Sequence, residues 1–197
     1  GRCGEESTCA VTAYRSVGIA ARQVYTPRWA HCDDNHAWVE VFVNGEWHFL
    51  GACEPEEVLD TGWFSGPANR AMLIHTRNFS DYVKESNEEY LGKEGALHYF
   101  NHTSFYGRTK LVKILVKDEN GKPAAGAHIA VEILNMAEFF PAAVMIADAD
   151  GEVRMTLGLG DIRVRAFDGI RRAEAMMRIE EEDSLELVLQ EEAVPSA

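Results

Sequence analysis

Residues 36–53, HAWVEVFVNGEWHFLGAC, decide how the first part of this chain folds. Polar and apolar side chains alternate on both sides of Asn44-Gly45, a dipeptide that is the strongest short-range signal for a two-residue hairpin turn. This turn fixes the register of the two strands, and extending the register pairs His36 with Cys53. Gly51 then lies diagonally beside His36. A group that orients the imidazole from the facing strand therefore belongs at position 51 or 53.

A helix is predicted before this hairpin, between Cys3 and Gly18. Gly18 stands where a glycine commonly ends a helix. Cys3 would lie at the helix N-terminus, where unpaired backbone N–H groups and the helix dipole favour a thiolate. Cys9 is predicted to be a packed core thiol. The apolar stripe at three-to-four spacing consists of Cys9, Ala10, Ala13, Tyr14 and Val17.

The composition excludes several classes of partner. The formal net charge is −13, which disfavours binding to nucleic acid or to an anionic membrane surface. No apolar run reaches the roughly 18–20 residues that span a bilayer, so we expect no membrane insertion. The cysteines all lie within residues 1–53 and form no C-x-x-C pair. We predict no metal and no cofactor, and residues 30–36, AHCDDNH, are interpreted as a solvated loop rather than a metal site.

The pattern of polar and apolar residues changes near residue 108. Seven or so short alternating segments follow, separated by polar turns, which is the pattern of an all-β sandwich. We therefore predict three regions: 1–107, 108–190 and a disordered tail at 191–197. Residues 63–107 are rich in Asn, Gly and aromatic residues and carry no clear pattern.

Three blocks in the first 65 residues resemble the transglutaminase-like superfamily. They are GRCGE with VGIAAR at the two ends of the helix, HAWVEV, and the W-x-x-x-x-A-C-E strand. The likeness is greatest to the branch of peptide N-glycanases and bacterial transglutaminase-like proteins. It implies an α+β, papain-like core in which a helix packs on a small antiparallel sheet, with the N-terminal part missing.

The resemblance also implies a reaction. Cys3 would be the nucleophile and His36 the general base, attacking an amide carbonyl through a thioester that passes to water or to an amine. The family's third residue, an aspartate that orients the histidine, falls at Gly51. Glu54 is the preferred replacement, provided that the strand ends or bulges at Cys53. Asp34 is the second candidate, provided that the strand of His36 already runs through it.

Other residues near this site carry alternative roles. Cys53, which faces His36 in the predicted register, is a rival nucleophile. Trp29 and Trp38 are candidates to line a substrate groove, and the plainer interpretation of Trp38 is cross-strand packing.

The second region resembles the prealbumin-like or carboxypeptidase-regulatory-like sandwiches that bacteria append to secreted and surface enzymes. The resemblance rests on KDENGKPAAGAHIAV and DADGEVRMTLGLGDIRVRAF. It implies an accessory role and favours an extracytoplasmic or cell-surface location. The chain is expected to be a fragment, with any targeting segment upstream of it.

The leading functional prediction is a cysteine-dependent amidase or acyltransferase acting on a peptide, protein or glycopeptide, with hydrolysis favoured over crosslinking. The competing prediction is a non-catalytic module whose former active-site groove binds a peptide or glycan. A third possibility is that the sandwich mediates attachment and the first region is a structural cap. The sequence leaves the oligomeric state open.

Overall fold

The computed structural model describes residues 1–79 and 88–191 and divides the chain into two compact units, Gly1–Arg108 and Thr109–Ala197. Strands account for 50% of the structure and helices for 12%. Within the described ranges, no helix combines the length and the apolar character needed to cross a membrane. The tail predicted to be disordered lies outside the described residues, apart from Glu191.

The first unit contains one antiparallel sheet of six strands, in the order β3-β2-β1-β4-β6-β5. Its elements are α1 (Cys3–Ser16), β1 (Ala21–Thr26), β2 (His36–Val43), β3 (Glu46–Leu50), α2 (Ser65–Ala68), β4 (His75–Phe79), β5 (Glu89–Glu94), β6 (Leu97–Asn101) and α3 (Thr103–Tyr106).

The predicted fold class, an α+β papain-like core followed by a separate β domain, is wrong. The chain is mostly β with three sheets, because residues 75–101 add three strands to the three predicted before them. The sequence hides these strands because β4 buries polar residues: His75, Thr76 and Asn78 are all buried. An apolar alternation is therefore missing where the strand lies. Helix α1 is the only helix longer than four residues in the described ranges.

The hairpin of β2 and β3 confirms the predicted register between Val43 and Val39. Val43 pairs with Glu46 and Val39 with Leu50. Asn44 and Gly45 both have positive φ angles, of 54° and 91°, as a type I′ turn requires. Strand β3 ends at Leu50, so positions 51 to 53 leave the sheet and the predicted pairing of His36 with Cys53 does not form.

Helix α1 packs on one face of this sheet, and Gly18 follows its end with a φ of 85°. The prediction that Cys9 is a core thiol is wrong, because Cys9 is exposed. Ser7 faces the sheet instead and is fully buried. The cause is Gln23 of β1, whose Nε2 donates hydrogen bonds to Ser7 Oγ at 2.7 Å and to the Gly4 carbonyl at 2.9 Å.

The opposite face of the sheet holds an aromatic core and a buried ion pair. Arg22 and Glu40 are 2% and 0% exposed, and Arg22 Nε lies 2.7 Å from Glu40 Oε2. Tyr106 Oη donates to Glu40 Oε1 at 2.5 Å and accepts a hydrogen bond from Trp38 Nε1 at 2.8 Å. Glu88 Oε1 accepts from Arg22 Nη1 at 2.8 Å. The two charges are thus paired and hydrogen-bonded, as burial requires.

The second unit has two sheets, in the orders β10-β7-β13 and β14-β12-β11-β8-β9. The alternating burial of the strands agrees with the predicted β-sandwich, whereas the finer likeness to prealbumin-like domains is not confirmed. The strands are β7 (Thr109–Lys117), β8 (His128–Asn135), β9 (Glu138–Ile146), β10 (Glu152–Gly158), β11 (Asp161–Phe167), β12 (Arg171–Arg178), β13 (Ser184–Val188) and β14 (Gln190–Glu191).

The buried ion pair predicts a stability effect. Glu40→Gln leaves Arg22 buried with one carboxylate fewer, which is expected to lower the free energy of unfolding by about 3 kcal/mol. Urea unfolding followed by tryptophan fluorescence measures this, since all four tryptophans lie in the first unit. Glu46→Gln, at an exposed site of the same hairpin, is the control and should change the free energy by less than about 0.5 kcal/mol. Equal effects of the two variants would contradict the account.

Candidate active site

Cys3 is the first residue of α1 and lines an open pocket of about 590 Å³. The thiol is half-buried, at the helix end where backbone N–H groups have no intrahelical partner. The wall opposite α1 is contributed by β1, by β4 and by the segment before β2. The residues lining the pocket are Arg2, Cys3, Gly4, Glu5, Tyr25, Asp34, Asn35 and Arg77.

His36, the first residue of β2, is only 7% exposed. Its ring is surrounded by aromatic rings, with centroid distances of 4.8 Å to Trp63, 5.1 Å to Phe64, 5.8 Å to Trp38 and 6.3 Å to Trp29. Its Nε2 is buried and has no hydrogen-bond partner among the described residues. Burial lowers the pKa of His36 below its ordinary value, so the imidazole is neutral at pH 7 and able to accept a proton.

Cys3 and His36 reach the same end of the sheet from opposite faces. Helix α1 packs against the face of Val39 and Val41, whereas His36 shares the other face with Trp38. The residue that precedes His36, Asn35, lines the pocket of Cys3. The structure therefore brings the two predicted catalytic residues to the same end of the sheet, where β2 begins (the sheet edge). No hydrogen bond joins His36 Nε2 to the thiol.

The turn after β3 explains how Glu54 approaches His36. A Cβ atom at Gly51 would lie 2.9 Å from the Glu54 carbonyl oxygen, so the chain folds back closely over position 51 and leaves no room there for a side chain. The Glu54 carboxylate acts on His36, because its charge opposes the lowering of the His36 pKa by burial. Glu54 Oε1 also accepts a hydrogen bond from Trp63 Nε1.

Cys53 is a poor rival to Cys3 as the nucleophile. Although Cys53 is exposed, desolvation of its thiol, a hydrogen bond from the thiol to Glu6 and the negative charge of Glu6 raise the pKa of Cys53 to about 12. The thiol is therefore protonated at neutral pH and a weak nucleophile. The charges of Glu54 and of a Cys3 thiolate act in the same direction, which places Cys53 close to both residues.

Asp34 lies on the Cys3 side of the edge. The prediction that it shares a face with His36 required the strand to run through it, but β2 begins at His36 and Asp34 has a φ of 76°. Its Oδ1 accepts the backbone N–H of Asn35 at 2.9 Å. Asp34 thus lines the Cys3 pocket.

The predicted substrate-binding tryptophans lie in the core. Trp29 and Trp38 are 3% and 0% exposed and form part of the aromatic cluster behind His36. Trp63, which the sequence analysis did not single out, is 54% exposed and contacts the His36 ring. In the sequence, Trp63 is a single tryptophan in a stretch without periodicity, so only the fold shows that it lies beside His36.

The loop of Cys32 lies in the stretch between β1 and β2, where it is exposed. His31 and Asp33 belong to the same exposed stretch. Across residues 1–79 and 88–191, no group of three His, Cys, Asp or Glu side chains is arranged to hold a metal ion.

Comparisons with known proteins concern mainly the first 52 residues of the chain. Residues 1–52 match the model of the transglutaminase-like superfamily. The match spans α1 to β3 and thus includes Cys3 and His36. No curated protein matches the chain. Among solved structures, the Streptococcal ancillary pilin is similar with a TM-score of 0.35 and 11% sequence identity, covering 94% of this chain and 66% of that chain.

The electrostatic interaction between Glu54 and His36 can be tested by titration. The Glu54 carboxylate stabilises the imidazolium form, so Glu54→Gln is expected to lower the pKa of His36 further. The chemical shifts of the His36 ring protons, followed by NMR against pH, measure this value. Glu56→Gln, two residues along the same loop, is the control and should leave the His36 pKa unchanged. A His36 pKa that is identical in wild type and Glu54→Gln would exclude Glu54 as its charge partner.

Proposed function

We propose that this chain is a cysteine-dependent amidase or acyltransferase that acts on an amide bond of a peptide or glycopeptide. Cys3 is the nucleophile, His36 the general base and Glu54 the carboxylate that stabilises the protonated imidazole. The observation that carries the proposal is His36 itself. It is a buried, neutral imidazole with an unpartnered Nε2, beside a carboxylate and at the sheet edge where the helix of Cys3 begins.

The proposed reaction proceeds in two stages. His36 accepts the proton of the Cys3 thiol, the sulfur forms a bond to the amide carbonyl carbon, and the amine leaves with a proton returned by the imidazole. The resulting thioester at Cys3 is then attacked by water, which His36 deprotonates. The carbon–sulfur bond breaks, the acid is released, and the imidazolium returns its proton to the Cys3 thiolate. An amine in place of water would give transamidation. We propose hydrolysis as the main outcome, because the Cys3 pocket is open to solvent.

This mechanism requires the imidazole to turn around the sheet edge toward the thiol. His36 stands at the first position of β2, where only its C-terminal side is constrained by the strand. Its neighbour Trp63 is more than half exposed and belongs to no strand or helix. Movement of Trp63 when substrate binds would give the His36 ring room to reach the Cys3 pocket. Glu54 interacts with both Trp63 and His36 and would move with them.

A second candidate is a binding module without catalytic activity. Two observations favour it: position 51 carries a glycine with no space for a side chain, and the Cys3 pocket opens on the face of the sheet opposite to His36. This alternative expects Cys3 to react no faster with an acyl donor than the exposed Cys9 and Cys32.

Acylation by an active ester separates the two candidates. With the p-nitrophenyl ester of an acetylated dipeptide, the enzyme is expected to form a thioester at Cys3, identified by mass spectrometry, and to release it to water. His36→Ala should slow acylation by about 10²-fold or more, and Glu54→Gln by a smaller factor. Glu56→Gln should match the wild type.

The comparison with the other thiols decides between the outcomes. Acylation of Cys9 and Cys32 at the same rate as Cys3, unaffected by His36→Ala, would overturn the enzymatic proposal and leave the binding module.

A further inference from the structure

We propose that the Cys3 pocket contains a carboxylate-binding subsite centred on Arg77, and that the acyl donor carries a carboxylate close to the amide bond that is cleaved. The inference rests on the proposed function for the identity of the reacting amide. The subsite itself rests on the surroundings of Arg77.

Arg77 is a half-buried cation whose charge is not neutralised by a carboxylate in the described part of the chain. Its guanidinium carbon lies 3.9 Å from the centre of the Tyr25 ring, and its Nη1 donates a long hydrogen bond of 3.4 Å to Gln23 Oε1. Its Nε is buried and makes no hydrogen bond within the described residues. A buried guanidinium N–H is normally satisfied, and a carboxylate is the acceptor that matches its geometry.

The guanidinium is held in position on the Cys3 side of the sheet. Gln23, which accepts from Arg77, also donates to the Gly4 carbonyl and to Ser7 Oγ in the first turns of α1. One glutamine side chain thus contacts both Arg77 and the helix that carries the thiol. Stacking on Tyr25 fixes the plane of the guanidinium, which reduces the conformational freedom that is lost when a ligand binds.

Both acidic side chains of the pocket accept a hydrogen bond from a backbone N–H group. Glu5 Oε2 accepts the backbone N–H of Arg2 at 2.7 Å, and Asp34 Oδ1 accepts the backbone N–H of Asn35 at 2.9 Å. Arg77, whose charge no carboxylate of residues 1–79 and 88–191 neutralises, lines the same pocket as Cys3. Its guanidinium therefore favours an anionic group on the substrate.

Two kinds of peptide present a carboxylate at this place. One has its free C-terminal carboxylate on the residue next to the cleaved amide, and the other has an acidic side chain there. The shared chemistry is a carboxylate within a few bonds of the reacting carbonyl, so both belong to the same proposal.

Two alkylating reagents that differ in charge test the subsite directly. Iodoacetate carries a carboxylate and iodoacetamide a neutral amide, and both alkylate thiols. The ratio of their rates at Cys3, mapped by mass spectrometry, is expected to fall about fivefold in Arg77→Gln. Arg77→Lys, which keeps the charge and loses the planar fork, should retain part of the ratio. Arg70→Gln, at an exposed arginine outside the pocket, is the matched control and should leave the ratio unchanged.

The ratio is independent of the proposed catalysis, because the nucleophilicity of Cys3 enters both rates and cancels. A dead enzyme with a carboxylate subsite still shows the dependence on Arg77, and an active enzyme without the subsite does not. The exposed Cys9 serves as an internal reference, and its ratio should be the same in all variants. Equal ratios at Cys3 in wild type, Arg77→Gln and Arg77→Lys would overturn the subsite.

Protection experiments distinguish the two sources of the carboxylate. Acetyl-Ala-Gln-Ala with a free C-terminus, its C-terminal amide, and acetyl-Ala-Gln-Glu-amide compete with iodoacetamide for Cys3. Protection by the first peptide alone indicates a terminal carboxylate, and protection by the third indicates an acidic side chain. Protection by the neutral amide that equals that of the other two would contradict the proposal.

Discussion

The buried pair of Arg22 and Glu40 is the interaction on which the His36 site depends. Two charges at the centre of the sheet must compensate each other because neither reaches water. Glu40 then accepts the hydroxyl of Tyr106, and Tyr106 accepts the indole N–H of Trp38. The Trp38 ring stacks on the His36 ring with an angle of 28° between their planes. A polar network in the core thus fixes the aromatic surface against which the candidate base rests.

The sheet edge is the second constraint, because it separates the candidate nucleophile from the candidate base. Helix α1 delivers Cys3 on one face, and β2 delivers His36 on the other. Two residues of the turn that follows β3 interact with different parts of the site. Cys53 contacts Glu6 of α1, and Glu54 acts on His36. Catalysis at this site therefore depends on whether the His36 imidazole can move around the sheet edge to the Cys3 thiol.

The sequence predicted local features better than their assembly. The Asn44-Gly45 turn determines the hairpin register because its positive φ angles suit few other residues. The tertiary arrangement of β4 could not be read, because a strand that buries His75 and Asn78 has no apolar alternation. The sequence showed that the family's orienting acid is absent at position 51, and it indicated nearby Glu54 as a substitute. The exposed ring of Trp63 was missed, since only the fold brings it to His36.

A bifunctional reagent tests whether the Cys3 thiol and the His36 imidazole come within reach of each other. 1,3-Dibromoacetone alkylates a thiol and then a second nucleophile that lies within reach of its three-carbon chain. Mass spectrometry of the digested protein is expected to find a bridge from Cys3 to His36, which is lost in His36→Ala. A bridge from Cys3 to Cys53 instead, or an unbridged adduct at Cys3, would show that the imidazole does not cross the edge and would contradict the account.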